Sequence, residues 1–168
     1  PSGDLDDAWD TDGAGHLRII ARQESWLSRN YTSARITTAG KREFAYGRFE
    51  ARLKLPSGQG LWPAFWLLGA NIGTVGWPQS GEIDIMEYKG QEPTVLHGSL
   101  HGPGYSGGAA LTRRYTLPSG RFDTEFHEFR VDWTPDRIRW YVDGRLYHEV
   151  HKGDQPGTWV YDHPFYII

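Results

Sequence analysis

The chain has 168 residues, a formal net charge of −3, 8 Trp, 9 Tyr and no Cys. A chain of this length forms one domain with a sizeable core, and its weak negative charge predicts no general attraction to nucleic acid or to an anionic membrane surface. No apolar run approaches the length of a membrane span, and without cysteine no disulfide supports the fold.

The predicted elements are short strands separated by turns that contain Gly or Pro. Residues 48–55 alternate strictly between charged and apolar side chains, and Asp143-Gly144 is a strong signal for a hairpin. No window predicts an amphipathic helix. Many short strands in series predict an all-β sandwich that forms a single domain over residues 1–168. The predicted strands are, in chain order, 17–21, 48–55, 62–68, 82–88, 94–101, 128–133, 137–142 and 145–150.

The most informative motif is a predicted strand that carries three carboxylates within six residues. Glu82 and Asp84 share one face of a regular strand, whereas Glu87 points to the opposite face because it lies an odd number of steps away. One extra residue, a β-bulge near Ile85-Met86, returns Glu87 to the face of the other two. Because three like charges on one strand face destabilise a fold, their presence indicates chemistry.

Glycoside hydrolysis requires two carboxylates at a fixed separation. One attacks the anomeric carbon, and the other, kept protonated, donates its proton to the departing oxygen. The separation of about 5–5.5 Å in a retaining enzyme suits neighbouring positions on one strand face. Asp84 lies between the two glutamates, where it can hydrogen-bond the nucleophile and raise the pKa of its neighbours by like-charge repulsion. A solvated acidic face and a cation site are the alternatives that these residues leave open.

Three tryptophans precede this strand, and their neighbours divide them into two groups. Trp66 stands in an apolar run and is predicted to be a core residue. Trp62 and Trp77 are each followed by Pro and have Gly nearby, which is typical of strand ends or loops at the rim of a cleft. A flat indole face with one N–H donor suits the apolar faces and polar rims of sugar rings, so both are predicted to bind substrate.

Four further segments accompany the acidic motif GEIDIMEY at 81–88. They are YGRFEAR at 46–52, GLWPAFW at 60–66, HGSLHGPGY at 97–105 and FRVDWT at 129–134. Together the five segments resemble glycoside hydrolase family 16, and most closely its bacterial laminarinase-like endo-1,3-β-glucanases. The resemblance covers nearly the whole chain, and the acidic motif is highly specific.

The resemblance implies a fold and a role for each carboxylate. Family 16 domains are β-sandwich jelly rolls of the concanavalin or lectin type, with substrate lying across a concave sheet. The first Glu of the motif is the nucleophile, the Asp assists it and the last Glu is the acid/base, which implies these roles for Glu82, Asp84 and Glu87. The motif has two forms, and the form with an extra residue, here Met86, is the bulged laminarinase-like one.

The resemblance also implies substrate contacts outside the acidic strand. His101 lies near the cleft in the family pattern, and Asn30 and Arg35 belong to a segment that lines its glycone side. An ordinary loop is the alternative for Asn30 and Arg35, and a structural role is the alternative for His97. No metal site is predicted, because the residue after the first His of this His-x-x-x-His spacing is not the Glu that a zinc helix requires. Residues 102–108 are predicted to form a mobile loop at the cleft edge.

The implied function is retaining endo-hydrolysis of β-1,3-glucan, the laminarin type of polysaccharide, by a secreted monomer. No cofactor is expected for catalysis, while a structural calcium ion and the cleavage of mixed 1,3-1,4 glucan stay open. The alternatives are a non-catalytic β-glucan-binding module on the same fold, and a transglycosylase or a hydrolase acting on another polysaccharide. Family domains continue beyond a segment like HPFYII at 163–168, so the C-terminal strands of the sandwich are expected to be missing from this chain.

Overall fold

The structure, a computed structural model, describes residues 8–168, and these form two compact units. Among the described residues, the first unit contains residues 8–36 and the second is Thr37–Ile168. The first seven residues of the domain predicted over 1–168 lie outside the described residues, and the single domain stays a prediction. None of the helices in the described part is long and apolar enough to cross a membrane.

The first unit, as described, contains two antiparallel hairpins. Asp12 closes the turn of the first hairpin, where its Oδ1 accepts the backbone N–H groups of Ala14 at 2.8 Å and His16 at 3.1 Å. A short acidic side chain commonly closes a turn in this way. The strands are β1 (Trp9–Thr11), β2 (Leu17–Ile19), β3 (Arg22–Trp26) and β4 (Arg29–Thr32), paired as β1–β2 and β3–β4.

The second unit contains two antiparallel sheets. Its strands are β5 (Gly47–Leu53), β6 (Ala64–Gly69), β7 (Glu82–Tyr88), β8 (Val95–His101), β9 (Leu111–Thr116), β10 (His127–Thr134), β11 (Arg137–Val142), β12 (Arg145–His151) and β13 (Phe165–Ile167). The four-stranded sheet has the order β12-β11-β10-β5, and the five-stranded sheet has the order β13-β6-β7-β8-β9. Two short helical segments lie between strands, α1 (Ile72–Val75) and a 3₁₀ turn at Gly107–Ala109.

The core of the second unit lies between its two sheets. Phe129, Val131 and Trp133 alternate along β10 and are at most 1% exposed. The five-stranded sheet contributes Leu67 and Ile83, which are both 0% exposed and belong to the same apolar cluster. Because each sheet buries every second side chain against the other, the two pack face to face. The predicted all-β sandwich is confirmed.

Two local predictions are confirmed in the four-stranded sheet. Strand β5 alternates as predicted, with Phe49 buried and its neighbours Arg48 and Glu50 exposed. Asp143 and Gly144 join β11 to β12 with φ angles of 49° and 76°. These left-handed values at two successive residues are those of a type I′ turn, whose twist matches that of the flanking strands.

Candidate active site

Strand β7 contains the predicted β-bulge. Two of its residues, Ile85 and Met86, stand opposite the single Gly98 of β8. Both are 1% exposed and belong to the core, because a bulge lets two consecutive side chains share a face. The extra step places Glu87 on the same face as Glu82, as predicted.

The pairing of β7 with β6 corrects two predictions. Met86 is paired with Phe65 and Asp84 with Trp66, so the residue without a partner on β6 is Ile85 and not the predicted Met86. Directly opposed residues of antiparallel strands project to the same side of the sheet. Trp66 therefore lies on the face of Asp84, and its prediction as a core residue is wrong.

Strand register assembles the carboxylate face, which is the face of the five-stranded sheet that bears Glu82, Asp84 and Glu87. Three cross-strand rows run over this face, and each row contains one carboxylate. The rows are Leu68–Glu82–His101, Trp66–Asp84–Ser99–Thr112 and Ala64–Glu87–His97–Arg114. His101 therefore lies beside the first carboxylate, and His97 lies beside the last.

Glu82 is in contact with an indole. Trp77 Nε1–H donates to Glu82 Oε2 at 3.1 Å. Burial raises the pKa of Glu82 to about 7, the charge of Asp84 adds to the rise, and His101 and Trp77 oppose it. Glu82 therefore holds a proton to a higher pH than an ordinary glutamate does.

Glu87 accepts two hydrogen bonds from side chains. Trp62 Nε1–H donates to Oε1 at 3.2 Å, and the Ser99 hydroxyl donates to Oε2 at 3.4 Å. Ser99 is 2% exposed and accepts in turn from the Thr112 hydroxyl at 2.9 Å. Burial raises the pKa of Glu87, and His101 and these two hydrogen bonds oppose the rise. A carboxyl group with a raised pKa can hold a proton and transfer it to a leaving group.

Asp84 is buried and pairs with His101. His101 Nε2 lies 3.0 Å from Asp84 Oδ2 and 3.7 Å from Glu82 Oε1. Burial raises the pKa of Asp84, although the hydrogen bond with His101 acts in the opposite direction. Burial also acts against the charged form of His101, but the neighbouring carboxylates outweigh burial, so the pKa of His101 is raised.

A backbone contact determines the tautomer of His101. Gly107 N–H donates to His101 Nδ1 at 3.1 Å, so Nδ1 is the acceptor and the proton of the neutral ring is on Nε2. A second proton on Nδ1 would set two donors against each other, so this contact opposes the positive charge that the carboxylates favour. The contact at Nδ1 favours a neutral ring that carries its proton on Nε2, the nitrogen that lies 3.0 Å from Asp84 Oδ2.

Among the described residues, one group has ligand atoms close enough together to hold a metal ion. It consists of Glu82, Asp84 and His101, whose atoms lie within 4.8 Å of one another. A histidine that binds a metal through Nε2 carries its proton on Nδ1, where the Gly107 N–H opposes it. This arrangement favours a proton over a metal ion between His101 and the carboxylates. The expectation of no metal site stays a prediction.

The two tryptophans predicted to bind substrate, Trp62 and Trp77, have exposed indole rings. Trp62 is 69% exposed and Trp77 is 46% exposed. The strand predicted from residue 62 begins only at Ala64, so Trp62 precedes it, as a rim residue would. The Trp77 ring also lies 5.9 Å from the ring of His101. Both N–H groups are directed at carboxylates, a contact that local sequence did not predict.

Sequence reasoning missed the two hydroxyl groups behind Glu87. A signal for Ser99 exists, because it lies two steps from both His97 and His101 and therefore shares their strand face. Nothing local places Thr112 beside Ser99, since that contact depends on the register of β8 against β9.

The segment predicted as a mobile loop, residues 102–108, is anchored in its first half. Tyr105 is 0% exposed, and its hydroxyl donates to Thr158 O at 2.8 Å. Gly102 and Tyr105 also exchange backbone hydrogen bonds of 2.9 and 3.0 Å. The prediction of mobility is wrong for this half, which leads directly to Gly107.

This arrangement has a counterpart in known proteins. The family model of glycosyl hydrolases family 16 matches residues 6–167. The chain belongs to this family. It is 42% identical over 164 residues to a beta-glucanase of Rhodothermus marinus, an alignment that covers 93% of this chain and 57% of that protein. The chain therefore spans little more than half of that relative.

Solved structures of two glucan-degrading enzymes share the fold of this chain. The laminarinase catalytic domain from Thermotoga maritima has a TM-score of 0.92 and 48% identity, covering 96% of this chain and 68% of that chain. The endo-beta-1,3-glucanase from Pyrococcus furiosus has a TM-score of 0.86 and 54% identity, covering 90% of this chain and 62% of that chain. The sandwich is thus the family 16 jelly roll, as predicted.

Two predicted substrate contacts of this family 16 chain lie in the first unit. Asn30 stands on β4 and lines an open pocket with Tyr31 and with residues 23–25 of β3. Arg35 follows β4 and is exposed. Both offer polar groups to solvent, and their contact with substrate stays a prediction.

Proposed function

We propose that this chain is the catalytic part of a retaining endo-hydrolase of β-1,3-glucan. The observation that carries the proposal is the pair of carboxylates, Glu82 and Glu87, which a bulge sets on one sheet face and which each accept an exposed indole N–H. Two solved relatives named laminarinase and endo-beta-1,3-glucanase support the substrate class. Two indoles beside the carboxylates suit the rings of an extended sugar chain.

The first chemical step uses the two glutamates in different protonation states. Ionised Glu82 attacks the anomeric carbon while protonated Glu87 donates its proton to the glycosidic oxygen, so the carbon–oxygen bond breaks and the aglycone leaves as an alcohol. In the second step ionised Glu87 takes a proton from water, and the water oxygen displaces Glu82 from the anomeric carbon. Two displacements at one carbon retain its configuration.

The proton on Glu82 must be moved before the attack. Since burial raises the pKa of Glu82 to about 7, a large fraction is protonated at neutral pH. Asp84 is suited to accept this proton, because one of its carboxylate oxygens lies within 4.8 Å of one of Glu82 and its own pKa is raised by burial. His101 Nε2 lies within 3.7 Å of both carboxylates, so it can stabilise whichever of them is ionised.

Digestion of laminarin tests the proposal, with the products sized and the anomer of the first product identified by NMR. Reducing oligosaccharides that appear first as β-anomers would support it, and α-anomers would contradict retention. Binding without turnover would indicate a glucan-binding module. Elongated products would indicate a transglycosylase, and cleavage of a galactan in place of laminarin would indicate a different polysaccharide hydrolase.

We also propose that catalysis needs no cofactor. Treatment with EDTA should leave kcat on laminarin unchanged at temperatures well below the melting temperature. A loss of kcat that Ca²⁺ restores without any change in melting temperature would contradict this proposal. A fall in melting temperature that Ca²⁺ reverses would indicate a structural ion instead.

A further inference from the structure

A buried tryptophan of the four-stranded sheet reaches the bulge of the carboxylate strand. Trp140 stands on β11 and is 0% exposed. Its Nε1–H donates to the backbone carbonyl oxygen of Asp84 at 2.8 Å. Asp84 immediately precedes Ile85 and Met86, so this bond joins the two sheets where β7 leaves its regular ladder.

The bulge determines what this hydrogen bond can do. A bulge disrupts the strand ladder locally, and a buried backbone carbonyl group needs a hydrogen-bond donor. If the register of β7 shifted by one residue, the side chains beyond the bulge would exchange faces. Glu87 would then leave the face of Glu82. The N–H of Trp140 stabilises the strand at the residue where the bulge begins.

Gly98 provides the space through which Trp140 reaches β7. It is the residue of β8 that stands opposite the bulge. A Cβ atom at Gly98 would lie 2.7 Å from Trp140 Cδ1, 3.1 Å from Trp140 Nε1 and 2.4 Å from Tyr147 Oη. Contacts this short require the neighbours to move, so a side chain at position 98 would displace the indole from its hydrogen bond.

The Trp140 indole is also supported from its other side. The His148 ring stacks on it, with ring centroids 4.5 Å apart and an angle of 24° between the planes. Strand β12 is irregular at this point, because Trp140 pairs with His148 while Tyr141 pairs with Leu146. Tyr147 is therefore an extra residue. A bulged segment of one sheet thus supports the indole that contacts the bulge of the other.

We propose that Trp140 is a positioning residue for the acid/base carboxylate, because its N–H stabilises the β7 bulge that keeps Glu87 on the face of Glu82. The rate measurements that test this role rest on the proposed function, because they use laminarin as substrate. The position of Glu87 can also be followed without substrate, through the titration of its carboxyl group.

The test compares Trp140→Phe with Trp133→Phe. Each change removes a buried indole N–H that donates to a backbone carbonyl group, at 2.8 Å for Trp140 and at 3.0 Å for Trp133. The acceptor of Trp133 is Tyr161 O, which is outside β7. The melting temperature should fall by a similar amount in both variants. Only Trp140→Phe should lose kcat on laminarin, by at least tenfold, with KM little changed.

A substrate with an activated leaving group separates loss of positioning from general damage. In 2,4-dinitrophenyl β-laminaribioside the aglycone leaves as a stable phenolate without protonation, so the first step does not need Glu87. Trp140→Phe should therefore lose at least tenfold more kcat/KM on laminarin than on this aryl glycoside. Trp133→Phe should change both equally. Equal losses on the two substrates in Trp140→Phe would overturn the proposal.

Gly98→Ala tests the same contact if Trp140→Phe does not fold. It retains the indole and displaces it, so it should show the same difference between the two substrates. Carboxyl NMR should show a changed Glu87 pKa in both variants and an unchanged one in Trp133→Phe. An unchanged Glu87 titration in Trp140→Phe and Gly98→Ala would refute the positioning role. A changed titration in a chain that does not hydrolyse laminarin would support the positioning role and refute only the substrate.

Discussion

The two sheets of the second unit both carry acidic residues on their outer faces, but only one sheet pairs them with arginine. On the four-stranded sheet, Asp132 Oδ1 lies 2.9 Å from Arg48 Nε and 3.6 Å from Arg130 Nε. Glu50 lies 3.8 Å from the same Arg130. On the carboxylate face, the three acids contact two uncharged indoles, the Ser99 hydroxyl and one histidine.

This difference distinguishes acids that stabilise the fold from acids that destabilise it. Opposite charges at neighbouring cross-strand positions stabilise a sheet by about 0.2–1 kcal/mol per pair. Three carboxylates with pKa values raised by burial do the reverse, because their ionised forms are less favourable in the folded state than in the unfolded one. A destabilising cluster of this kind is typical of a functional site.

The largest expected effect is the loss of either glutamate. Glu82→Gln removes the nucleophile and Glu87→Gln the proton donor, so each should lower kcat on laminarin by roughly 10²–10⁴-fold. Glu50→Gln on the other sheet is the matched control and should retain kcat. A comparable loss in the control would mean that the two faces do not differ in function.

Azide distinguishes the roles of the two glutamates. Glu87→Ala still forms the covalent intermediate, so azide should attack it and yield a β-glycosyl azide. Glu82→Ala should yield the α-azide by direct attack. Product anomers are identified by NMR, and exchanged products would reverse the assignment.

The indoles give the next largest effect. Truncation of a stacked aromatic residue costs on the order of 1–3 kcal/mol of binding, so Trp77→Ala should lower kcat/KM for laminarin at least about tenfold. Its melting temperature should hardly change, because Trp77 is 46% exposed. Trp77→Phe keeps a ring but removes the N–H donor, so the pKa of Glu82 should rise. A large fall in melting temperature with full activity per folded molecule would make Trp77 a structural residue.

A smaller effect is expected from the hydroxyl groups behind Glu87. The hydrogen bond from Ser99 lowers the pKa of Glu87, so Ser99→Ala should raise it. If Glu87 is the acid, the alkaline limb of the kcat/KM profile should then move to higher pH. Thr112→Val acts through Ser99 and should move the same limb less. A limb that moves to lower pH would contradict this assignment.

The smallest effect concerns stability. The pKa of Glu82 is about 7 in the folded chain and about 4.3 in an unfolded one, so the folded state binds more protons between these values. The stabilisation from this proton is present below about pH 4 and is lost as the pH rises through 7. Between pH 5 and pH 8, the melting temperature should therefore fall by a few degrees more in the unaltered chain than in Glu82→Gln, at about 2–4 °C per kcal/mol. Parallel melting curves would contradict this prediction.

The parts of the site that depend on local periodicity could be predicted from the sequence. Glu87 lies an odd number of residues after Glu82, and this spacing predicted the bulge. The two turn residues Asp143-Gly144 predicted the hairpin. Trp66 shows how the same reasoning failed, because its apolar neighbours were given more weight than the alternation along its strand. Trp66 lies one step from buried Leu67, so alternation along the strand puts the two on opposite faces and Trp66 on the carboxylate face.

The contacts around the carboxylate strand could not be predicted in this way, because the contacting residues come from other strands and from loops. The contact between Trp140 and Asp84 depends on how two sheets pack, and the contact between Thr112 and Ser99 depends on strand register. Both are determined by tertiary structure, which a single sequence specifies only through many weak signals at once.

The anchored turn at residues 102–105 determines where the loop beside this site can accept inserted residues. A Cβ atom at Gly157 would lie 1.8 Å from Pro103 O, so the turn is packed too tightly to admit extra chain. Residues inserted before Tyr105 would pull its ring from the core and Gly107 away from His101. Grafting a longer loop in order to bind a different polysaccharide should therefore succeed only on the C-terminal side of Gly107. Such a graft leaves Gly107 in place to bind His101.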